Sequence, residues 1–193
     1  LEIDDLVCDH LPRFGENGKE GLTFRHLLTH TAGIGSAEID WSESSWEEIV
    51  AKVCKAPLRE NWLPGRQARY DVANAWVVLA EVVSQKSAMA FDEYVHERIL
   101  GPLGMQNCYL TMDTQTYREK KDRLGLMYNT ANGDEPEPSH YSRDLERTLL
   151  QCVPGGGGRG PARELGRFYE MLLGKGKSNG GRLLLPQTVE AIT

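Results

Sequence analysis

An apolar segment with helical spacing, residues 72–83, constrains the fold of this chain more than any other feature. Ala, Trp and Val residues at positions 73, 76, 77, 80 and 83 recur with the period of an α-helix and share one face. Apolar residues at positions 72, 79 and 82 widen that face. The pattern therefore predicts a helix, starting near Tyr70, that is buried on more than one side.

Helix start signals mark two shorter segments ahead of it. Thr23 precedes residues 24–28 and is predicted to cap a short helix there. Ser45 and Glu48 have the spacing of a capping box, in which each side chain accepts a hydrogen bond from the other residue's backbone N–H. The helix that they open is predicted to end before Pro57, because proline interrupts helical hydrogen bonding.

Two further helices are predicted in the second half of the sequence. One covers residues 90–100, with apolar side chains on one side and Gly101 at its end. The other begins with Pro161 in its first turn, a favoured position for proline, and runs to Leu173. Strand-like alternation is scarce, so we expect a mainly α-helical single domain over residues 1–193 with few short strands.

Charge and composition argue against several classes of protein. The 22 basic and 28 acidic residues give a net charge of −6, and no cluster of Lys and Arg marks a nucleic-acid interface. No stretch approaches the roughly 18 apolar residues of a membrane span. The cysteines lie far apart and form no CxxC pair, so buried thiols are expected: Cys8, Cys54, Cys108 and Cys152. No metal or cofactor is expected, and the compartment stays open.

Two glycine-rich patterns imitate known motifs. Residues 155–160 satisfy the GxGxxG pattern of dinucleotide sites, but no acidic residue follows between Glu170 and Glu190, where the ribose ligand would lie. Residues 176–180 satisfy GxSxG, but a predicted helix precedes them, whereas a nucleophile elbow needs a strand there. The first pattern is therefore not expected to form a nucleotide site, and the second is expected to form a simple turn.

A histidine pair, His26 and His30, has the i, i+4 spacing of metal ligands on one helix. The zincin pattern would place glutamate directly after the first histidine, where this chain has Leu27. No third ligand is obvious. We therefore expect the pair to cap or pack rather than to bind a metal.

Several segments together, in order along the chain, resemble the serine β-lactamase-like superfamily, which contains class C β-lactamases, penicillin-binding-protein-like D-alanyl-D-alanine carboxypeptidases and family VIII esterases. The first two segments, at residues 1–12 and 22–34, resemble the family's LdLdD approach and its LLTHTSG signature. The remaining segments resemble its PG…Y…W, PLGM and GGG…LL motifs and the stretch that follows them: residues 64–83, 99–105, 156–173 and 183–186.

The resemblance implies a fold and a chemistry. The family joins an α/β domain, whose antiparallel sheet comes from both chain ends, to a largely helical domain. We therefore expect the equivalent of the helical domain, with most of the sheet absent. The family's chemistry uses a Ser-x-x-Lys nucleophile, a Tyr-x-Asn motif that moves a proton, and a Lys/His-Thr/Ser-Gly strand that binds substrate.

Tyr70 stands where the family's tyrosine would be, which implies a general acid/base. The alternative interpretation is a tyrosine at a helix start that packs on the core. Val72 occupies the position of the motif's asparagine, and Asn74 lies two residues further on. Because residues at i and i+4 of a helix are neighbours, Asn74 is a candidate to share the face of Tyr70.

The other two catalytic elements are missing from the 193 residues. No serine has lysine three residues later: positions 36, 42, 44, 45, 84, 87, 139, 142 and 178. Both motifs would fall beyond the ends, so we expect a central fragment, inactive alone, of a hydrolase acting on small-molecule esters, amides or β-lactams. A non-catalytic binding module is the alternative, with self-association through an exposed apolar face.

Overall fold

The computed structural model describes residues 1–41, 43–130, 135–139 and 145–193. Helices make up most of the regular structure of this part of the chain, which confirms the mainly helical prediction. The α-helices are α1 (Phe24–Leu28), α2 (Trp46–Lys55), α3 (Asn74–Ser87), α4 (Phe91–Val95), α5 (Thr114–Lys120), α6 (Leu145–Leu149), α7 (Ala162–Leu173) and α8 (Pro186–Ile192). None of these helices is long and apolar enough to cross a membrane.

The strands in the described residues form two short antiparallel ribbons. Strand β1 (Tyr128–Asn129) pairs with β2 (Glu137–Pro138). Strand β3 (Lys177–Ser178) pairs with β4 (Gly181–Arg182). The second ribbon contains the GxSxG pattern, so the prediction of a turn in place of a nucleophile elbow is confirmed.

The chain groups into two compact units. Unit 1 comprises Leu1–Val82 and Thr111–Gly157, and unit 2 comprises Val83–Leu110 and Gly158–Thr193. Each unit has its own cluster of buried apolar side chains. The single domain expected from the sequence stays a prediction.

The core of unit 1 lies around α2 and the first part of α3. Ile49, Val50 and Val53 of α2 are buried, as are Val77 and Val78 of α3. Burial of a valine or isoleucine side chain stabilises the fold by about 1.5–3 kcal/mol. The helix predicted from residues 72–83 is therefore central to this unit, and it buries side chains on more than one side.

The core of unit 2 forms between α7 and the segment after α4. Met171 of α7 packs with Leu103 and Met105 in one apolar cluster. The carboxylate of Glu164, near the start of α7, is also buried and accepts hydrogen bonds from the backbone N and side-chain Nδ2 of Asn107 at 2.8 and 2.9 Å. A buried carboxylate is tolerated here because its oxygens are hydrogen-bonded.

The predicted caps of α1 and α2 are confirmed. The hydroxyl of Thr23 accepts from the backbone N–H of His26, and the His26 ring accepts from the N–H of Thr23. Ser45 and Glu48 make the expected reciprocal capping box. These caps satisfy N–H groups that the first turn of a helix leaves without partners.

The start of α3 differs from the prediction. The helix begins at Asn74, not near Tyr70. The reason is Asp71, whose carboxylate accepts the backbone N–H groups of Ala73, Asn74 and Ala75 at 3.0, 2.8 and 3.3 Å. Asp71 is therefore the cap, and Tyr70 lies in the extended segment ahead of the helix.

The helix predicted over residues 90–100 is also interrupted. It is α-helical over α4 and then makes a π-helical turn at His96–Leu100. The backbone N–H of Gly101 donates to the carbonyl of His96, a π-type bond of 2.8 Å. Pro102 follows and has no N–H to donate, which removes one α-helical bond and favours the wider turn.

Candidate active site

A cleft of about 440 Å³ in unit 1 lies between the chain that follows α1 and the segment that leads into α3. Its lining comes from two segments, within residues 30–41 and over residues 69–75, together with Leu27 and Arg59. Tyr70 and Asn74, the two candidate catalytic residues, both line it. Both residues singled out from the sequence therefore line the same cleft.

Tyr70 lies at the open side of this cleft. Its side chain is 68% exposed, so the interpretation of a tyrosine packed into the core does not describe its position. Its ring centroid lies 4.8 Å from that of the His30 imidazole, at a tilt of 58°. The phenol ring thus makes an aromatic contact with His30 and is otherwise largely exposed.

His30 holds the backbone on both sides of Tyr70. The backbone N–H of Arg69 donates to the His30 carbonyl at 3.0 Å, and the N–H of Asp71 donates to His30 Nδ1 at 3.4 Å. His30 has a left-handed backbone conformation, φ +56°, which turns the chain after α1 toward this segment. The sequence reasoning missed this role.

The prediction that the two histidines cap or pack is confirmed. The prediction that both lie on one helix is wrong. His26 caps α1 through its bonds with Thr23, whereas α1 ends at Leu28 and His30 lies beyond it. No group of three or more His, Cys, Asp or Glu side chains in the described part of the chain is placed to hold a metal ion.

Gly33 allows the chain to turn where it lines the cleft. Its φ of +73° lies in the left-handed region that favours glycine. A Cβ at this position would overlap the indole of Trp62, whose Nε1 donates to the Thr31 carbonyl at 3.0 Å. Glycine is therefore required both for the backbone angle and for the close approach of the indole.

Asn74 makes a hydrogen bond to the segment that follows Gly33. The residue is 9% exposed, and its Nδ2 donates to the carbonyl of Gly35 at 2.8 Å. This bond ties the start of α3 to the strand-like segment after Gly33. Tyr70 precedes the helix, so the i, i+4 helical relation predicted between Tyr70 and Asn74 is absent. Both residues nevertheless line the cleft.

The glycine-rich segment of residues 155–160 packs closely against other side chains and backbone. A Cβ on Gly155 would lie 2.6 Å from Cδ1 of Trp76 and 2.7 Å from the carbonyl oxygen of Val72. Residues 148–153, an apolar run directly before these glycines, include the end of helix α6, whereas a dinucleotide site would need a strand there. Gly155 therefore serves the packing around the start of α3.

Known proteins resemble the chain over nearly its whole length. It is 28% identical over 184 residues to an uncharacterized protein of Mycobacterium tuberculosis, covering 89% of this chain and 43% of that protein. It is 26% identical over 169 residues to the esterase EstB of Burkholderia gladioli, covering 77% of this chain and 40% of the esterase. The chain thus spans less than half the length of these relatives.

A crystal structure shows the same fold. A penicillin-binding protein homologue from Caulobacter crescentus superposes with a TM-score of 0.79 at 23% sequence identity, over 99% of this chain and 54% of that chain. The model of the family described as beta-lactamase matches residues 1–192. The chain therefore belongs to the β-lactamase family.

Proposed function

We propose that this chain supplies the tyrosine side of a serine-hydrolase active site acting on small-molecule esters, amides or β-lactams. The observation that carries the proposal is the placement of Tyr70. Its ring is exposed over a cleft, yet the backbone on either side is bonded to His30. A proton-transfer group needs both properties, access to the substrate and a fixed position.

In the proposed reaction a serine oxygen attacks the substrate's carbonyl carbon, and the serine proton passes to the leaving group through the hydroxyl oxygen of Tyr70. The phenol then gives that proton to the leaving oxygen or nitrogen as its bond to the carbonyl carbon breaks. Water hydrolyses the resulting acyl-enzyme ester with the same proton exchange in reverse. Asn74 acts as a positioning residue, since its amide holds the start of α3 to Gly35.

We place no nucleophile among these 193 residues, because no serine within them is followed by lysine at the third position. Ser36 lines the cleft, but Ile39 stands in the lysine position. The chain alone is therefore expected to be inactive. The naming of one relative as an esterase and of another as a penicillin-binding protein homologue supports this reaction class.

The role of Tyr70 is tested in a chimera in which this chain replaces the matching segment of the Burkholderia gladioli esterase. We expect Tyr70→Phe to lower kcat for a p-nitrophenyl ester by about 10²–10⁴-fold, the usual contribution of a general acid/base. Tyr169→Phe, which changes another exposed tyrosine, is the matched control. Far-UV circular dichroism verifies folding. Full activity of the Tyr70→Phe chimera would exclude the proposed role.

The absence of a nucleophile is tested on the chain itself. Incubation with a fluorophosphonate probe and with a fluorescent penicillin should label no serine, and Ser36→Ala should behave as the parent does. Covalent labelling that disappears in Ser36→Ala would identify a nucleophile inside the chain and contradict the proposal.

A second candidate function, a non-catalytic interaction module, is favoured by one observation on α7. Leu165, Tyr169 and Leu173 are exposed and recur at every fourth residue, so they form one apolar stripe along the helix. The opposite side of α7 is already packed through Met171. Exposed apolar stripes of this kind are typical of surfaces that bind a partner.

A further inference from the structure

A second cavity, of about 580 Å³, lies in unit 2 and shares no lining residue with the cleft of Tyr70. Residues 101–104, which follow the π-helical turn, supply part of its lining. Helix α7 and the ribbon of β3 and β4 supply the rest. The volume lies within the range of about 300–1,000 Å³ that is typical of sites for small molecules.

The backbone around this cavity is held by close contacts. The N–H of Gly104 donates to the carbonyl of Gly101 at 2.9 Å and closes a turn. A Cβ on Gly180, in the turn of the ribbon, would lie 3.1 Å from the carbonyl oxygen of Pro102. The two sides of the lining therefore pack directly on each other, and a preformed site loses less entropy when it binds a ligand.

Arg167 and Glu170 lie three residues apart on α7, a spacing at which opposite charges on a helix are neighbours. Neither side chain makes an ion pair within 4.0 Å with any residue that the structure describes. The guanidinium of Arg167 instead donates from Nη1 to the carbonyl of Gly104. The carboxylate of Glu170 is thus left without a cation from the described part of the chain.

Gly104 permits this position of the guanidinium. Its φ of +66° lies in the left-handed region, and a Cβ there would lie 3.0 Å from Nη1 of Arg167. A guanidinium has five N–H donors, and the bond to Gly104 is the one side-chain hydrogen bond of Arg167 within the described residues. Donors of Arg167 therefore remain for an acceptor in the cavity.

Lys177 adds a second positive charge from β3. Its ammonium group makes no ion pair with a carboxylate of the described chain. Lys175, two residues earlier, pairs with Glu190 at 3.7 Å and does not line the cavity. The described lining thus carries two cations and one anion, none of them in an ion pair.

Unpaired charges of both signs favour a ligand that also carries both signs. A simple anion would be repelled by Glu170, and a simple cation would be repelled by Arg167 and Lys177. Guanidinium and ammonium groups bind carboxylates through charge-assisted hydrogen bonds, and a carboxylate binds an ammonium group in the same way. Ser178 and Asn179 line the same cavity and offer neutral polar groups to the body of such a ligand.

We infer that this cavity binds a small zwitterion of about dipeptide size. Arg167 and Lys177 bind its carboxylate, and Glu170 binds its ammonium group. The inference is independent of the proposed function, since all of these residues belong to unit 2 and none lines the cleft of Tyr70.

The test compares ligands that differ only in charge. The ¹⁵N-labelled chain is titrated at about pH 7, where both ends of a peptide are largely charged, with L-alanyl-L-alanine. N-acetyl-L-alanyl-L-alanine lacks the ammonium group, L-alanyl-L-alaninamide lacks the carboxylate, and inorganic phosphate is a simple anion. The backbone signals of Gly104, Ser178 and Asn179 report on the cavity. We expect the free dipeptide to shift them and to bind at least about threefold tighter than any of the other three, within the range of exposed ion pairs.

Two variants assign each charge of the ligand to its partner. Lys177→Gln should weaken binding of the free and the acetylated dipeptide by about threefold, but not binding of the amide. Glu170→Gln should weaken binding of the free dipeptide and the amide by about the same factor, but not binding of the acetylated form. Both side chains are exposed, so both variants should fold. Arg163→Gln, an exposed change on α7 outside the lining, should leave every affinity unchanged.

Four results would overturn the inference. They are no response of the cavity signals to the free dipeptide, equal affinity for the free dipeptide and either blocked form, phosphate binding at least as tightly as the dipeptide, and losses in the two variants that do not follow the charge of the ligand.

Discussion

The imidazole of His30 packs against the phenol ring of Tyr70, with their centroids 4.8 Å apart. The two residues are 40 positions apart in the sequence, and backbone hydrogen bonds from Arg69 and Asp71 to His30 reinforce the ring contact. The family signature at residues 22–34, to which His30 belongs, is thus in direct contact with the segment that carries the candidate proton-transfer group. Each end of this link can be tested separately.

Replacement of His30 by alanine should destabilise unit 1 and release Tyr70. The change removes an aromatic contact worth about 0.5–1.5 kcal/mol and the acceptor for the Asp71 N–H. We expect the free energy of unfolding in urea to fall by about 1–2 kcal/mol and the ring signals of Tyr70 to move toward random-coil values. His96→Ala, which changes an exposed histidine of unit 2, should have little effect. Unchanged Tyr70 signals in His30→Ala would contradict the link.

The Asp71 cap should determine where α3 begins. Asp71→Ala removes the acceptor for three backbone N–H groups and should cost about 0.5–2 kcal/mol of stability. Asp71→Ser keeps a capping oxygen and should recover most of the loss. The measurement is urea denaturation, with amide hydrogen exchange at residues 73–75 as a local readout. Equal stability of the alanine and serine variants would show that capping is not the role of Asp71.

The sequence predicted the parts of the fold that depend on local chemistry. The caps at Thr23 and Ser45 and the extent of α7 could be predicted because a helix start is encoded within four residues. The start of α3 could not be located, because the apolar pattern extends past Asp71 while the capping carboxylate stops the helix. The spacing of apolar residues carries no information about such a hydrogen bond.

The sequence singled out Tyr70 as a candidate, but it did not predict the surroundings of this residue. Two contacts join residues that are distant in sequence: the His30 ring packs on Tyr70, and Asn74 bonds to Gly35. Arg59 lines the same cleft from a third part of the chain. A positive-φ histidine has no local sequence signal, since it depends on the backbone around it. Long-range packing of this kind becomes visible only in the folded chain.

The apolar stripe of α7 should affect association more than stability. Leu173 is 85% exposed, so Leu173→Gln should change the free energy of unfolding by less than about 0.5 kcal/mol. If the stripe binds a second copy, the chain should sediment faster as its concentration rises, and the Leu165→Gln/Leu173→Gln variant should remain monomeric. Arg163→Gln, on the same helix, is the control. Association that persists in the double variant would exclude the stripe as the interface.

The buried carboxylate of Glu164 should make unit 2 sensitive to acid. Burial raises the pKa of Glu164, but hydrogen bonds from the side chain and backbone of Asn107 and from the Cys108 thiol, together with the charge of Arg167, hold the pKa below its ordinary value of 4.5. A depressed pKa in the folded state means that the stabilising contribution is complete above pH 4.5 and is lost as the pH falls through the folded-state pKa.

Glu164→Gln should therefore lower the free energy of unfolding at pH 7 by about 1–3 kcal/mol and flatten the acid limb of the stability profile. Glu170→Gln, an exposed change on the same helix, should preserve that limb, as measured by urea denaturation between pH 7 and pH 3. An acid limb of equal slope in Glu164→Gln would assign the acid sensitivity to other groups.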